Sequence, residues 1–396
     1  MTDAPIQFHR LSFVPEHEDE VLVGRPDNES FAVFDTEDAA LLQRMVEGMP
    51  PDEAADWYQT TYGQAVDMPD LLLTLTDLGF IRGEGESGTD ARAVRLQWLG
   101  RIAFSKPALG VLIVVTACWL YVICTHPYIA PHPSQVFFTN SILLVQLAVV
   151  FLQVPWIALH EGAHVLSGRR LGLPSRLGVG TRLYFVVFET RMNGLLTVPR
   201  RKRYTPILAG IAVDIFVISA LGLIAFLLTG PGASEPLAAR ILLAMAFPIL
   251  IRLGYQFLLF LQTDIYFVVT TALGCHDLHT ASRTLVWNRI WRSLRRPERL
   301  ADEDQWTERD LRMARWYAPS FAVGAVVLIV LGIVVAIPIM GRVLHLLVQG
   351  ISSGPGNIQF WDGVLFAALN LAQFVFLGVM AMRRWTHARR LTAQTA

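Results

Sequence analysis

The stretch Trp156-Ile157-Ala158-Leu159-His160-Glu161-Gly162-Ala163-His164-Val165-Leu166 decides how the rest of the chain is read. Two histidines four positions apart on a helix lie one above the other on the same face. That spacing suits the first two ligands of a tetrahedral zinc. A carboxylate directly after the first histidine reaches a water at the metal without itself being a ligand, which is the position of Glu161. His-Glu-x-x-His is short enough to arise by chance, so the setting carries the weight. The motif ends an apolar run that begins near Phe137. A charged side chain at the centre of a membrane helix costs on the order of 2.5–3.5 kcal/mol, so residues of this kind usually have a task there. The competing reading is a helix end whose histidines face headgroups or pair within a bundle. Motif and setting together predict a Zn2+ site inside a membrane.

Composition points the same way. Hydrophobic residues make up 53% of the chain and charged residues 17%, fewer charges than a soluble protein of this length carries. Lys plus Arg (33) balances Asp plus Glu (33), yet the first ninety or so residues are acidic while the basic ones cluster beside apolar runs. No basic face is interleaved with aromatics, so nucleic acid is not an expected partner. Cys118, Cys124 and Cys275 form neither a disulfide framework nor a Cys-x-x-Cys zinc pattern. Met1 precedes acidic polar sequence, which predicts no cleavable signal peptide.

Ahead of the apolar runs, residues 1–82 read as a small α+β domain. Leu11–Val14, Val21–Gly24 and Ser30–Phe34 are strand candidates, with a turn at Pro26-Asp27-Asn28-Glu29. Three helices follow: one from Asp35-Thr36-Glu37-Asp38 to Gly48, one from Pro51-Asp52-Glu53, and one from Asp67-Met68-Pro69-Asp70 to Gly79. Strands followed by short helices predict a winged-helix-like cytosolic unit. Its order resembles PqqD-like peptide-recognition domains. The resemblance lies in Phe31-Ala32-Val33-Phe34-Asp35-Thr36-Glu37-Asp38-Ala39-Ala40-Leu41-Leu42, in Glu47-Gly48-Met49-Pro50-Pro51-Asp52-Glu53-Ala54 and in Leu72-Leu73-Thr74-Leu75-Thr76-Asp77-Leu78-Gly79-Phe80-Ile81. It implies that an extended peptide, the leader of a ribosomally made peptide, adds to an exposed strand edge. The alternative is a generic winged helix with a regulatory role. Residues 83–105 read as a linker, flexible from Gly83 to Asp90.

Residues 106–390 read as a membrane helix bundle of about six spans, centred on Leu109–Ile123, Ile142–Leu159, Ile207–Leu227, Ile241–Thr271, Phe321–Ile339 and Leu365–Met382. Thr125–Gln135 and Thr229–Ala239 lack Lys and Arg, and Gly341–Gly363 has only Arg342. By contrast, Arg169 to Arg203, Arg283 to Arg315 and Arg383 to Arg390 are basic tracts. The alternation predicts a multi-pass protein of the cell membrane with both termini cytoplasmic. Thr181–Thr190 reads as a buried or membrane-associated hairpin. Arg289–Arg299, with Trp287, Ile290, Trp291 and Leu294, reads as a basic amphipathic helix, either on an anionic leaflet or packed on the bundle.

A catalytic zinc takes three protein ligands and leaves one position open. Asp264, about ten residues before the basic end of the fourth span, matches the depth of His164. Asp214 is a further candidate, either behind the ligands, paired with a cation, or as an alternative ligand. Arg252 is its expected partner, or a contact for a substrate carboxylate. His276 and His279 are weaker metal candidates. With these residues in view, Gln153 to Leu278 resembles the site-2 protease family of intramembrane zinc metalloproteases, and within it the bacterial peptide zinc metalloprotease group. The resemblance implies that His160, His164 and Asp264 hold zinc and that Glu161 is the base. Two departures stand out. Ile265 follows Asp264 where the family carries glycine, and the third span has Gly210-Ile211 and Asp214 where the family carries Gly-Pro and Asn.

The implied activity is zinc-dependent peptide-bond hydrolysis within the membrane, in maturation or leader removal of a ribosomally synthesised, modified peptide. The alternatives are regulated cleavage of a membrane-anchored signalling protein, and a non-proteolytic peptide-export or immunity protein. The implied partners are a peptide or membrane-protein substrate, the lipid bilayer, and peptide-modifying enzymes or an exporter.

Overall fold

The computed structural model describes residues 5–16, 19–28, 30–83, 94–182, 185–192, 194–230, 235–275, 278–303, 306 and 308–394. It is mostly helical, with a small three-stranded sheet near the N-terminus and six helices long and apolar enough to cross a membrane among the described residues. The chain separates into two compact units. One comprises residues 1–105, 164–176 and 190–208; the other comprises residues 106–163, 177–189 and 209–396. Two of the divisions, after Ala163 and after Leu208, fall inside continuous helices.

The first unit begins with an antiparallel meander, β1 (Ser12–Pro15), β2 (Glu20–Arg25) and β3 (Ser30–Asp35), in the order β1-β2-β3. Being central, β2 supplies the buried Leu22 and Val23. At Gly24, opposite Phe31, a Cβ would meet the Phe31 ring at 2.0 Å, so the aromatic ring covers bare backbone there. Helices α1 (Thr36–Val46), α2 (Pro51–Tyr62) and α3 (Met68–Asp77) follow, close to the expected limits. Val23, Ala39, Leu42, Leu75 and Phe80 form the core between sheet and helices. Proline at the first or second position of α2 and α3 pre-sets the helical φ, and the Asp67 side chain accepts from Asp70 N–H at 3.2 Å. The Tyr58 hydroxyl donates to Asp38 at 2.8 Å. Burial, then that carboxylate, push the phenol up to about 12, so it stays neutral in any ordinary buffer. Of the expected linker, residues 84–93 lie outside the described residues.

The same unit holds the starts and ends of longer elements. Helix α4 (Gln97–Ala103) crosses close to the end of the long helix Ile142–Arg170, because a Cβ at Gly100 would meet the Leu166 carbonyl at 2.3 Å. The loop between β1 and β2 presents Glu16 to Arg203, which also donates to the carbonyls of Val198 (2.7 Å) and Leu196 (2.9 Å). Both charged side chains are almost wholly buried, at 2% and 4% exposure. Removing one member of such a pair strands the other charge. Glu16→Leu alone is therefore expected to destabilise this unit by about 3–5 kcal/mol, while Glu16→Leu with Arg203→Met recovers most of the loss. Limited proteolysis of the two variants under increasing denaturant checks this.

In the second unit, α5 (Lys106–Thr125), α6 (Ile142–Arg170), α7 (Arg200–Thr229) and α8 (Leu237–Tyr255) contribute to one core around Trp119, Val145, Ile218, Leu221, Ala244 and Ile249, with α6 and α7 running on into the first unit. A Cβ at Gly222 would meet the Trp119 indole nitrogen at 2.3 Å, so glycine there lets α5 and α7 approach. Strands β4 (Ser175–Arg182) and β5 (Phe185–Met192) pair as a hairpin, and its tip, residues 183–184, lies outside the described residues.

Two spans differ from the expectation. The fourth is not continuous over Ile241–Thr271. Helix α8 ends at Tyr255, and a separate helix, α9 (Asp264–Leu273), starts after an irregular turn in which Gln262 takes φ 54. Backbone leaving a helix at this depth needs other partners, and side chains supply them. Thr263 Oγ1 donates to the Gln256 carbonyl at 2.6 Å, and Asp264 N–H donates to Gln256 Oε1 at 3.0 Å. After α10 (Leu278–Ser293) and α11 (Glu308–Tyr317), the fifth span is longer than expected. Helix α12 (Pro319–Leu331) passes through a π-turn at Gly332–Ala336 into α13 (Ile337–Ser352). The stretch expected to leave the membrane keeps Val343, Leu344, Leu347, Val348 and Ile351 at helical spacing, so the helix continues. Pro319 to Ser352 would reach roughly 50 Å if straight, beyond a hydrocarbon core of roughly 30 Å. The last helix, α14 (Ile358–Gln394), is held to α6 by polar contacts. Asp362 accepts from the Ser141 hydroxyl and from Ile142 N–H (2.9 Å) at the start of α6. Gln146 and Asn370 exchange two amide hydrogen bonds at 3.2 and 3.0 Å.

Candidate metal centre

His160 and His164 sit one turn apart on α6, each only 5% exposed. Each ring is held from behind by α7. His164 Nδ1 lies 2.7 Å from the Pro206 carbonyl, and His160 Nδ1 lies 3.0 Å from Asp214 Oδ2. A carbonyl oxygen only accepts, so His164 carries its proton on Nδ1 and its lone pair on Nε2. An ionised Asp214 asks the same of His160. Histidines that bind a metal through one nitrogen usually donate from the other to a carbonyl or carboxylate. Both rings have that arrangement. The antiparallel run of α6 and α7 provides it, since 160 meets 214 and 164 meets 206.

Asp264 opens α9, where the positive end of a helix favours a carboxylate. Its Oδ2 lies 3.4 Å from His160 Nε2. Ligand atoms of His160, His164 and Asp264 all lie within 4.8 Å of one another, the single group of this kind among the described residues. Zinc bonds of roughly 2.0–2.2 Å at tetrahedral angles put two donors about 3.3–3.5 Å apart. Two imidazoles and one carboxylate at this spacing are a donor set that could hold a divalent metal ion, and the His160–Asp264 separation is the one tetrahedral zinc would need. The Asp264 side chain is 20% exposed, the His160 side chain 6%. Glu161 follows His160 on α6 and is partly exposed. Ile265, where a glycine was the family pattern, lies within α9 and needs no left-handed backbone; that conformation falls at Gln262 instead.

Asp214 is fully buried, and both its oxygens are engaged. Oδ2 accepts from His160 and from Arg252 Nε at 2.8 Å, and Oδ1 accepts from Arg252 Nη2. It therefore stands behind His160, on the Nδ1 side, with a two-point guanidinium contact balancing its charge. The Arg252 partnership expected for Asp214 is present, alongside its contact with His160.

Gln256 was not among the residues singled out from the sequence. It is buried, and it holds Asp264 from two sides: Oε1 takes the backbone N–H at 3.0 Å and Nε2 donates to Oδ2 at 3.2 Å. Its only signal was an amide in an otherwise apolar stretch. Gln256→Leu is expected to weaken zinc binding at least tenfold by freeing the carboxylate to rotate, which competition against a chromophoric chelator would measure. The Pro206 carbonyl was missed as well, because backbone groups leave no mark in a residue pattern. His276 lies outside the described residues. His279 sits against Tyr266 and Phe321, its backbone N–H donating to the Tyr266 hydroxyl at 3.1 Å, and it is not part of the His160–His164–Asp264 group.

No family model matches this chain, and no curated protein or solved structure matches it either.

Proposed function

We propose that the chain is an intramembrane zinc endopeptidase of the site-2 protease kind. The observation that carries this reading is the convergence of His160, His164 and Asp264, with both imidazoles donating backwards from Nδ1. A zinc ion held there would lower the pKa of water toward about 7 and polarise a peptide carbonyl. His160 and His164 orient their lone pairs to one point, and Asp214 and Pro206 keep them there. Glu161 takes the proton from the attacking water and passes it to the leaving amine. Gln256 fixes the third ligand. The scissile bond reaches this site in extended form, since helical backbone is shielded, and the β4–β5 hairpin is a candidate to hold it by edge pairing.

The N-terminal sheet supports a peptide substrate. Among the described residues β3 pairs only with β2, so its other edge is open beside α1, as strand addition to a PqqD-like winged helix would require. A leader held there raises the local concentration of its peptide at the metal of the same chain. This favours maturation of a ribosomally synthesised, modified peptide by a cell-membrane protein with cytoplasmic termini.

The test is the zinc content of the full chain in liposomes, together with cleavage of peptides encoded beside its own gene. One zinc per chain is expected. Cleavage should be lost on stripping with a chelator and regained on adding zinc. Protein that takes up no zinc would overturn the proposal.

A further inference from the structure

Helix α10 begins earlier than the sequence pattern indicated and ends at Ser293, with Arg295 at φ 55 closing the turn beyond it. Its inner face is complete. Leu278 and Ala281 are buried in a cluster with Ala314 and Tyr317 of α11. Ser282 Oγ donates to the Ala314 carbonyl at 3.2 Å. Asn288 donates to the Ala301 carbonyl (2.9 Å) and to Glu303 (2.7 Å), and accepts from Ala301 N–H (3.0 Å). These contacts tie down the segment that returns toward α11.

The outer face is of a different kind. Arg283, Trp287, Ile290 and Leu294 follow one another at steps of four, three and four, a single helical ridge. Trp287, Ile290 and Leu294 are 46%, 38% and 57% exposed. Trp291 stacks on Trp287 with ring centroids 5.7 Å apart, and the Arg299 guanidinium lies 4.9 Å from the Trp291 ring. Around this ridge, residues 283–303 contain six arginines against Glu298, Asp302 and Glu303. Of the six, Arg292 pairs with Glu303 at 3.0 Å.

We propose that this face of α10 is a docking surface for anionic lipid. Trp287, Ile290 and Leu294 enter the headgroup–acyl boundary, and Arg283, Arg289, Arg295 and Arg296 hold lipid phosphates. The charge is complementary to an anionic leaflet, whose negative surface potential attracts arginines close to it. Connectivity agrees: four residues separate α10 from α9, which is apolar, and α11 opens the longest candidate span. A nucleic acid would use the arginines and tryptophans but has no use for Ile290 and Leu294 at the centre of the ridge. The proposal is independent of the zinc chemistry.

The experiment uses the detergent-purified full chain, titrated with phosphatidylglycerol or phosphatidylcholine and read by native mass spectrometry. A parallel arm measures tryptophan quenching by bromine-labelled lipid in vesicles. The wild type is expected to retain phosphatidylglycerol in preference, and Arg283→Gln/Arg289→Gln/Arg295→Gln/Arg296→Gln to lose at least about tenfold of that preference. The quenching difference between wild type and Trp287→Phe should assign a quenched signal to Trp287. Ile290→Gln/Leu294→Gln should reduce that signal while keeping the lipid preference. Equal retention of the two lipids by the wild type, a Trp287 untouched by brominated lipid, or tighter retention of single-stranded RNA than of phosphatidylglycerol would each overturn the proposal. The quadruple variant alters only exposed side chains, and an unchanged unfolding temperature checks that it folds.

Discussion

Glu161→Gln is expected to leave one zinc per chain and to lower the rate of peptide cleavage by about 10^2 to 10^4. The substitution removes a group that takes a proton and returns it, and contributions of that size are usual for a positioned general base. It does not touch the ligand set, because His160, His164 and Asp264 keep their partners on α7 and in the Gln256 turn. The zinc arm is what gives the result meaning. Retained zinc with lost cleavage assigns Glu161 to proton transfer. Lost zinc would assign it to the metal instead, and undiminished cleavage would remove Glu161 from the reaction. His160→Ala gives the contrast: it takes away a ligand and should lose both zinc and cleavage.

Asp214→Leu is expected to act on two properties that can be separated. It removes the acceptor behind His160, which should weaken zinc binding about 10- to 100-fold, the usual cost of losing a carboxylate that orients a metal-binding histidine. It also leaves Arg252 without its partner in the bundle. Breaking such a pair from one side costs about 3–5 kcal/mol, and the 20% exposure of Arg252 puts this case at the lower end. Asp214→Leu with Arg252→Leu should regain most of the stability and none of the affinity. Denaturant unfolding of the solubilised chain reads the first, and chelator competition reads the second. If the double variant recovered both, Asp214 would be merely structural. If neither variant moved the affinity, the carboxylate would play no part in holding the metal.

What was legible in the residues is local. Two histidines four apart on a helix share a face in any fold, so the pairing of His160 with His164 needed no tertiary information. Apolar length alone marks candidate spans, and the strands and helices before residue 82 announce themselves through alternation, proline at helix starts and glycine at helix ends. The break between α8 and α9 was invisible for the same reason. Hydropathy averages over the stretch and stays high on both sides, while the turn is held by Gln256 and Thr263, two polar side chains whose partners cannot be known until the chain has turned. Long-range pairs behave alike: Glu16 with Arg203, and Asp362 with the start of α6, are separated by far too many residues for spacing to relate them.

The sequence by itself therefore determined an apolar, multi-span chain with a helical His-Glu-x-x-His pair and a small N-terminal α+β unit, because periodicity and apolar length are properties of consecutive residues. The tertiary structure decided that Asp264 meets that pair from the first turn of a separate helix. It also decided that Asp214 and Pro206 engage the two imidazoles through Nδ1, with His160 Nε2 3.4 Å from Asp264. Three separate stretches converge there, and only packing can bring them together.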